Sequence, residues 1–331
     1  MTGRVPAMTT SRGVGPCATA GLLACVLACG PGDASPTTPD DGGALASPSG
    51  AADTPTTRFP FVNVAAEAGL VAHLTSGRTP ATQILEVKGG GLALLDRDGD
   101  GDLDVFLPNG ATLDSPEQGP GCRLFDNASV PGRLAFQDAT AAAGLRFAGW
   151  GVGVAVGDVD GNGADDLYVT AFGPDALLVN DGAGRFDDRT QAAGLGQDAW
   201  GTGCAFGDLD GDGDLDLYVT NYLEFRVDAP PPGDRFRGVP VFGGPRGLPA
   251  QADVLYANAG DGRFLDVTAV SGCADVPPAH GLNVLIADVD DDGVQEIVVG
   301  NDSMANRLFD DATAGSTADA SEGLEPTQAW S

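Results

Sequence analysis

Basic side chains are scarce in this chain. Against 47 aspartates and glutamates stand only 17 lysines and arginines, a formal net charge of −30. Such a balance disfavours nucleic acid and anionic membrane surfaces as partners. Histidine is rarer still, with only His73 and His280, and no serine or cysteine stands in a recognisable nucleophile context. Few stretches carry a long helical periodicity, whereas glycine numbers 50. The chain therefore reads as many short strands joined by turns.

What the sequence has instead is one aspartate-rich loop in four copies: 96–104 (DRDGDGDLD), 158–166 (DVDGNGADD), 208–216 (DLDGDGDLD) and 288–296 (DVDDDGVQE). Oxygen-bearing side chains occupy the first, third, fifth and ninth positions. These are Asp96, Asp98, Asp100 and Asp104; Asp158, Asp160, Asn162 and Asp166; Asp208, Asp210, Asp212 and Asp216; and Asp288, Asp290, Asp292 and Glu296. Hard oxygens crowded on a tight turn suit calcium, which accepts six to eight of them, and the seventh residue offers a backbone carbonyl. The sixth position is always glycine (Gly101, Gly163, Gly213, Gly293), as expected where a side chain would obstruct a sharp turn. The fourth loop departs by carrying Asp291 where the others have Gly99, Gly161 and Gly211, and by ending in Glu296.

Aspartate and glycine also dominate turns that hold no metal. Two carboxylates about 4 Å apart, however, repel by about 4 kcal/mol at an effective dielectric of 20, and several such pairs in one turn call for a cation. An EF-hand is excluded. It needs a bidentate glutamate at position twelve and flanking helices, whereas position twelve here is Leu107, Val169, Val219 or Val299. Each loop runs instead into a β-branched or aromatic segment, such as DLYVT (166–170) or EIVVG (296–300), which reads as a strand.

The repeat is larger than its loop. WGVGVAVGD (150–158) and WGTGCAFGD (200–208) are apolar strands entering loops two and three. A second strand leaves each loop, a third precedes an Asn-containing turn (ALLVNDGAGRF, 176–186; DVLYANAGDGRF, 253–264), and a fourth opens the pattern F-x-D-x-T-x-x-A-G-L. That pattern recurs at 136–145, 186–195 and 264–273, with a degenerate copy, FVNVAAEAGL, at 61–70. Four-stranded repeats of this length are propeller blades. The third unit is lengthened by a Pro/Gly-rich insertion at 223–252, expected to be a surface loop.

GGGLALLDRDGDGDLDVFLPNG (89–110), AFGDLDGDGDLDLYVTNY (205–222) and VFGGPRGLPAQADVLYANAGDGRFLDVT (241–268) resemble the FG-GAP/VCBS-like repeat proteins, and more narrowly the cartilage-acidic-protein (ASPIC/UnbV-type) family. The resemblance covers about residues 59–310. It implies an extracellular, calcium-binding, integrin-α-like propeller of about seven blades. Only four loops are present here and the pattern fades after 306–315. The expectation is therefore an all-β, incomplete propeller of four to five blades, truncated at the C-terminus and open as an arc, with a closed four-bladed ring as the alternative.

The first 29 residues hold Arg4, Arg12, an apolar stretch and no acidic residue, the composition of an export signal. Val26-Leu27-Ala28-Cys29 resembles a bacterial lipoprotein box with Cys29 acylated, and Leu22-Leu23-Ala24-Cys25 competes with it. Residues 30–58 read as a disordered linker, and residues 59–331 as the repeat domain. The expected location is the cell envelope or outer surface as a lipoprotein, or the secreted fraction. Cys204 and Cys273 look like core substitutes for aliphatic residues, and a bridge between Cys122 and Cys273 remains open.

Eight residues before each loop stand Lys88, Trp150, Trp200 and His280. If the first strands line the axis, these four share the rim opposite the loops, where two tryptophans would suit a carbohydrate or peptide; they could equally plug gaps between blades. The chain reads as a calcium-stabilised binding or adhesion module at the cell surface, without catalysis, with an unknown protein or carbohydrate ligand. The alternative is a calcium-dependent carbohydrate-active enzyme on the same scaffold.

Overall fold

A computed structural model describes residues 61–310, apart from 246, 275 and 276. The export signal, Cys29, the linker and the tail after 310 lie outside the described residues.

Blade one is the antiparallel sheet β1 (Ala93–Leu95), β2 (Asp104–Leu107), β3 (Arg123–Asn127) and β4 (Phe136–Asp138), paired in chain order. Blade two repeats it as β5 (Trp150–Gly157), β6 (Asp166–Pro174), β7 (Ala176–Asn180) and β8 (Phe186–Asp188). In blade three, β9 (Asp198–Gly207) and β10 (Asp216–Asn221) are separated from β13 (Val254–Asn258) and β14 (Phe264–Asp266) by a hairpin, β11 (Asp234–Phe236) and β12 (Val239–Val241). Blade four shows three strands among the described residues: β15 (Gly281–Ala287), β16 (Glu296–Asn301) and β17 (Arg307–Phe309). Blades two and three share one eight-stranded sheet because the end of β6 also pairs with β9, Phe172 opposite Trp200.

Period-two alternation explains how blades stack. In β6, Leu167 and Val169 belong to the cluster shared with blade one, and Tyr168 to the cluster shared with blade three. In β10, Leu217 and Val219 face blade two, and Tyr218 faces blade four. A blade sandwiched in this way is apolar on both faces, so its central strand is a continuous apolar run. Each fully buried side chain of this size contributes about 1.5–3 kcal/mol. The first strands succeed one another, β1 beside β5, β5 beside β9 and β9 beside β15. The architecture is an incomplete β-propeller, as the sequence pattern anticipates.

Two expectations change. The insertion at 223–252 is not wholly a surface loop, because Leu223 and Phe225 are buried and join a core cluster with Trp150, Trp200 and Tyr222. Its apolar residues cap one end of the blade stack, and the hairpin β11–β12 remains exposed. Cys122 and Cys273 are free thiols in different clusters, so no bridge joins them.

Candidate metal centres

Each loop joins the first strand of a blade to the second, and its register is set by that hairpin: Leu95 opposite Asp104, Gly157 opposite Asp166, Gly207 opposite Asp216 and Ala287 opposite Glu296. The first aspartate is held by amides of its own loop. Asp96 accepts from Gly99 and Gly101, Asp158 from Asn162 and Gly163, Asp208 from Gly211 and Gly213, and Asp288 from Asp292 and Gly293, at 2.8–3.2 Å. Carboxylate oxygens then converge to within 4.8 Å of one another. In loops one and three they come from the first, third and fifth positions (Asp96, Asp98, Asp100; Asp208, Asp210, Asp212), and in loops two and four from the first, third and ninth (Asp158, Asp160, Asp166; Asp288, Asp290, Glu296). Each cluster could hold a metal ion. The donors are all hard oxygens, without histidine or thiol, a set that fits calcium better than zinc or copper.

The ninth residue has a second role that the spacing did not reveal. Asp104 takes the amides of Arg97 and Asn127, one on each oxygen; Asp166 takes those of Val159 and Asn180; Asp216 takes those of Leu209 and Asn258. It therefore straps the loop to the end of the third strand. The asparagines at those strand ends reach further. Asn180 Nδ2 donates to the Arg97 carbonyl of loop one (2.8 Å), and Asn258 Nδ2 to the Val159 carbonyl of loop two (2.9 Å). Adjacent loops are stitched together across the blade interface. Asn127, Asn180 and Asn258 carry no ligand signature in the sequence; only their recurrence before each turn could have marked them.

Glycine at the sixth position is explained by backbone conformation and not by crowding. Gly101, Gly163, Gly213 and Gly293 have φ of 86–95°, and a Cβ at any of them would meet nothing within 4 Å. The left-handed backbone sets the requirement. Asp291, with φ of 64°, adopts the same region as Gly99, Gly161 and Gly211 (70–75°) while bearing a side chain. Glu296 takes the Val289 amide at 2.6 Å, and its other oxygen is buried without a hydrogen-bond partner among the described residues. The fourth loop is thus the irregular one.

Burial and like charge act together on the ninth-position carboxylates. Burial, with further repulsion from Asp160 and Asp158, pushes the Asp166 carboxyl up to about 7 even though two amides stabilise its anion. Asp104 and Asp216 are raised for the same reason, burial first. A cation among these oxygens would reverse the balance.

The four residues upstream of the loops do meet at one end of the blades, but not as an open rim. Trp150 and Trp200 are 0% and 1% exposed and His280 is buried, so neither indole presents a face to a ligand. Both pack edge-on against Phe172, and Trp200 also against Tyr222 at 5.0 Å. Tyr222 in turn meets His280 and lies beneath the Lys88 ammonium at 4.8 Å. Lys88 pairs with Asp302 at 3.5 Å, and Tyr222 donates to the same carboxylate at 2.6 Å. Burial alone would raise Asp302; the Tyr222 and Ser303 hydrogen bonds and the Lys88 charge lower it. The cluster closes because Trp150 opens β5 and Trp200 lies near the start of β9, so both indoles fall at the same end of their blades, where Phe172, Tyr222 and Phe225 pack around them. Of the two readings open from sequence, gap-filling is the one the geometry supports.

A comparison with curated proteins finds no match for the chain. An FG-GAP-like repeat is present at residues 158–219, from the first aspartate of loop two to Val219 of β10.

Proposed function

We propose that this chain is an exported, calcium-stabilised propeller that acts as a binding or adhesion module at the cell surface and performs no catalysis. The observation that carries the metal half of this reading is the convergence of three carboxylates in each of four equivalent loops. An FG-GAP repeat suggests a propeller-type module of the kind often used in binding. The resemblance to the cartilage-acidic-protein group, and the export and lipid-box composition of residues 1–29, support the cell-surface assignment. Asp96, Asp98 and Asp100; Asp158, Asp160 and Asp166; Asp208, Asp210 and Asp212; and Asp288, Asp290 and Glu296 would hold the ions. When bound, calcium supplies positive charge that cross-links each hairpin loop. The protein's part is to fix the oxygens through loop amides and the ninth-position strap before the ion arrives.

Removal of calcium by a chelator is expected to lower the melting temperature by several degrees, with calcium restoring it in proportion to occupancy. Differential scanning calorimetry with elemental analysis of the purified protein checks this. An unchanged transition together with no copurifying calcium would sink the metal reading. For the binding half, a glycan and extracellular-protein array probed with calcium-loaded protein is the direct measurement. Turnover abolished by mutating a carboxylate outside the four loops would favour the enzymatic alternative.

A further inference from the structure

Successive blades are clasped by one repeated contact. The amide of Phe136 donates to the carbonyl of Ala68 (2.6 Å), that of Phe186 to Ala143 (2.8 Å) and that of Phe264 to Ala193 (2.8 Å). Each phenylalanine opens a blade's fourth strand, and each acceptor sits in the Ala-Gly-Leu turn that closes the preceding repeat. The approach is close. A Cβ on Gly69, Gly144 or Gly194 would stand 2.5, 3.5 or 2.8 Å from the carbonyl oxygen of the same phenylalanine. Phe186 and Phe264 are buried in the clusters shared with the blade before.

The fourth such turn has no phenylalanine. Among the described residues no amide donates to the Ser271 carbonyl, and Gly272 has nothing within 4 Å of its Cβ position. Among the described residues blade four ends at β17, and beside it lies a groove of about 450 Å3. Leu255, Val267, Ser271 and Cys273 wall it on one side, Ile297 and Phe309 on the other. At the opposite end of the molecule lies a fourth-strand sequence with no blade, Phe61-Val62-Asn63. Phe61 is 91% exposed, while the turn after it is engaged by Phe136.

We propose that the groove is a strand-accepting site, filled by Phe61–Val64 of a second copy of this chain. Phe61 would take the place that Phe186 and Phe264 hold in blades two and three, its amide on Ser271, with the segment hydrogen-bonded along the free edge of β17. The flanking faces continue the interface already present inside the chain. Leu94 occupies the register of Val156, Phe206 and Ile286, which pack on the preceding blade, yet Leu94 is exposed. Leu285 and Leu308 occupy the positions of Ala205 and Leu255, through which blade three receives blade four, and they are exposed too. Residues 311–331 hold no phenylalanine, so the tail lacks the motif. The turn that follows the chain's own Phe61 is held to blade one through Ala68, and blade one shares no core cluster with blade four among the described residues. A face-to-back contact of this kind closes only as a ring. Two copies of the four described blades give eight, the upper end of the usual four to eight, and three would exceed it.

Light scattering and sedimentation across a range of concentrations test the proposal. A reversible dimer is expected, and Phe61→Ala should weaken it about a hundredfold with an unchanged near-ultraviolet circular dichroism spectrum, since Phe61 is exposed among the described residues. A peptide of sequence FPFVNVAAE should dissociate the dimer, and its counterpart with alanine at the second phenylalanine should not. A monomer at every concentration overturns the proposal, whether its groove is open or is closed by its own chain, the latter being revealed by slow amide exchange at Val62. A dimer indifferent to Phe61→Ala and to the peptide overturns it as well.

Discussion

Asp291 shows how much one side chain can set. It stands in a left-handed backbone conformation where three sister loops use glycine, and it adds a negative charge to a turn already crowded with them. Relief of left-handed strain, on the order of 1–2 kcal/mol, exceeds the entropy that glycine costs, about 0.5–1 kcal/mol. Asp291→Gly is therefore expected to stabilise the protein by up to about 1 kcal/mol, read as a higher melting temperature in calcium-free buffer; a fall would count against strain at this position. Residue roles were legible where chemistry and spacing coincide. In each loop three of the four expected donors reappear as a converged carboxylate cluster, whereas Asp104, Asp216 and Asp292 stand outside those clusters. The strap made by Asp104, Asp166 and Asp216 was not legible, because a carboxylate written at position nine is the same letter whether it grips an ion or two amides. Trp150 and Trp200 left two readings open for a related reason: an aromatic at a strand end looks alike in sequence whether a neighbouring blade covers it or not.

Strands carry their own buried acids. Between β6 and β7, Asp175 accepts the Ala171 amide at 2.7 Å and the Tyr168 hydroxyl at 2.9 Å, and Gln197 also donates to it. Asp253 repeats the arrangement between β10 and β13 with Asn221 and Tyr218. These pins hold the crossing from the second strand to the third, and nothing in a lone Asp before an apolar run announces them. Burial pushes Asp175 up to about 7, despite the hydrogen bonds that favour its anion, whereas an unfolded aspartate titrates near 3.9. The folded state thus holds the proton more tightly. Its stabilising contribution is complete below about pH 4 and is lost as pH rises through about 7. Asp175→Asn should flatten that decline in chemical-denaturation curves taken between the two values, leaving the residual slope due to the other raised carboxyls, Asp104, Asp166 and Asp216 among them. Superimposable curves for the two proteins would refute the assignment. The strands themselves were legible because Leu167, Tyr168 and Val169 alternate between two neighbours, which makes an apolar run diagnostic of a sandwiched blade.

At the scale of the molecule, charge opposes compaction. With a formal net charge of −30, self-repulsion weakens the folded state unless ions screen or neutralise it. Raising sodium chloride should lift the melting temperature of the chelated protein and do much less for the calcium-loaded one; a drop with salt in the chelated sample would show that ion pairs such as Lys88–Asp302 outweigh repulsion. The repeat was visible in the sequence through its four aspartate loops and, in the first three units, the phenylalanine that opens the fourth strand. Whether the arc closes was not, since closure depends on what meets the faces of Leu94 and Leu308, and no periodicity encodes that. The stitching of the loops gives the structure a polarity. Asn180 and Asn258 each reach back to the loop of the blade before, never forward. Blades two and three are thus each a latch on the blade before, and loosening either would free the carbonyl of the loop behind it.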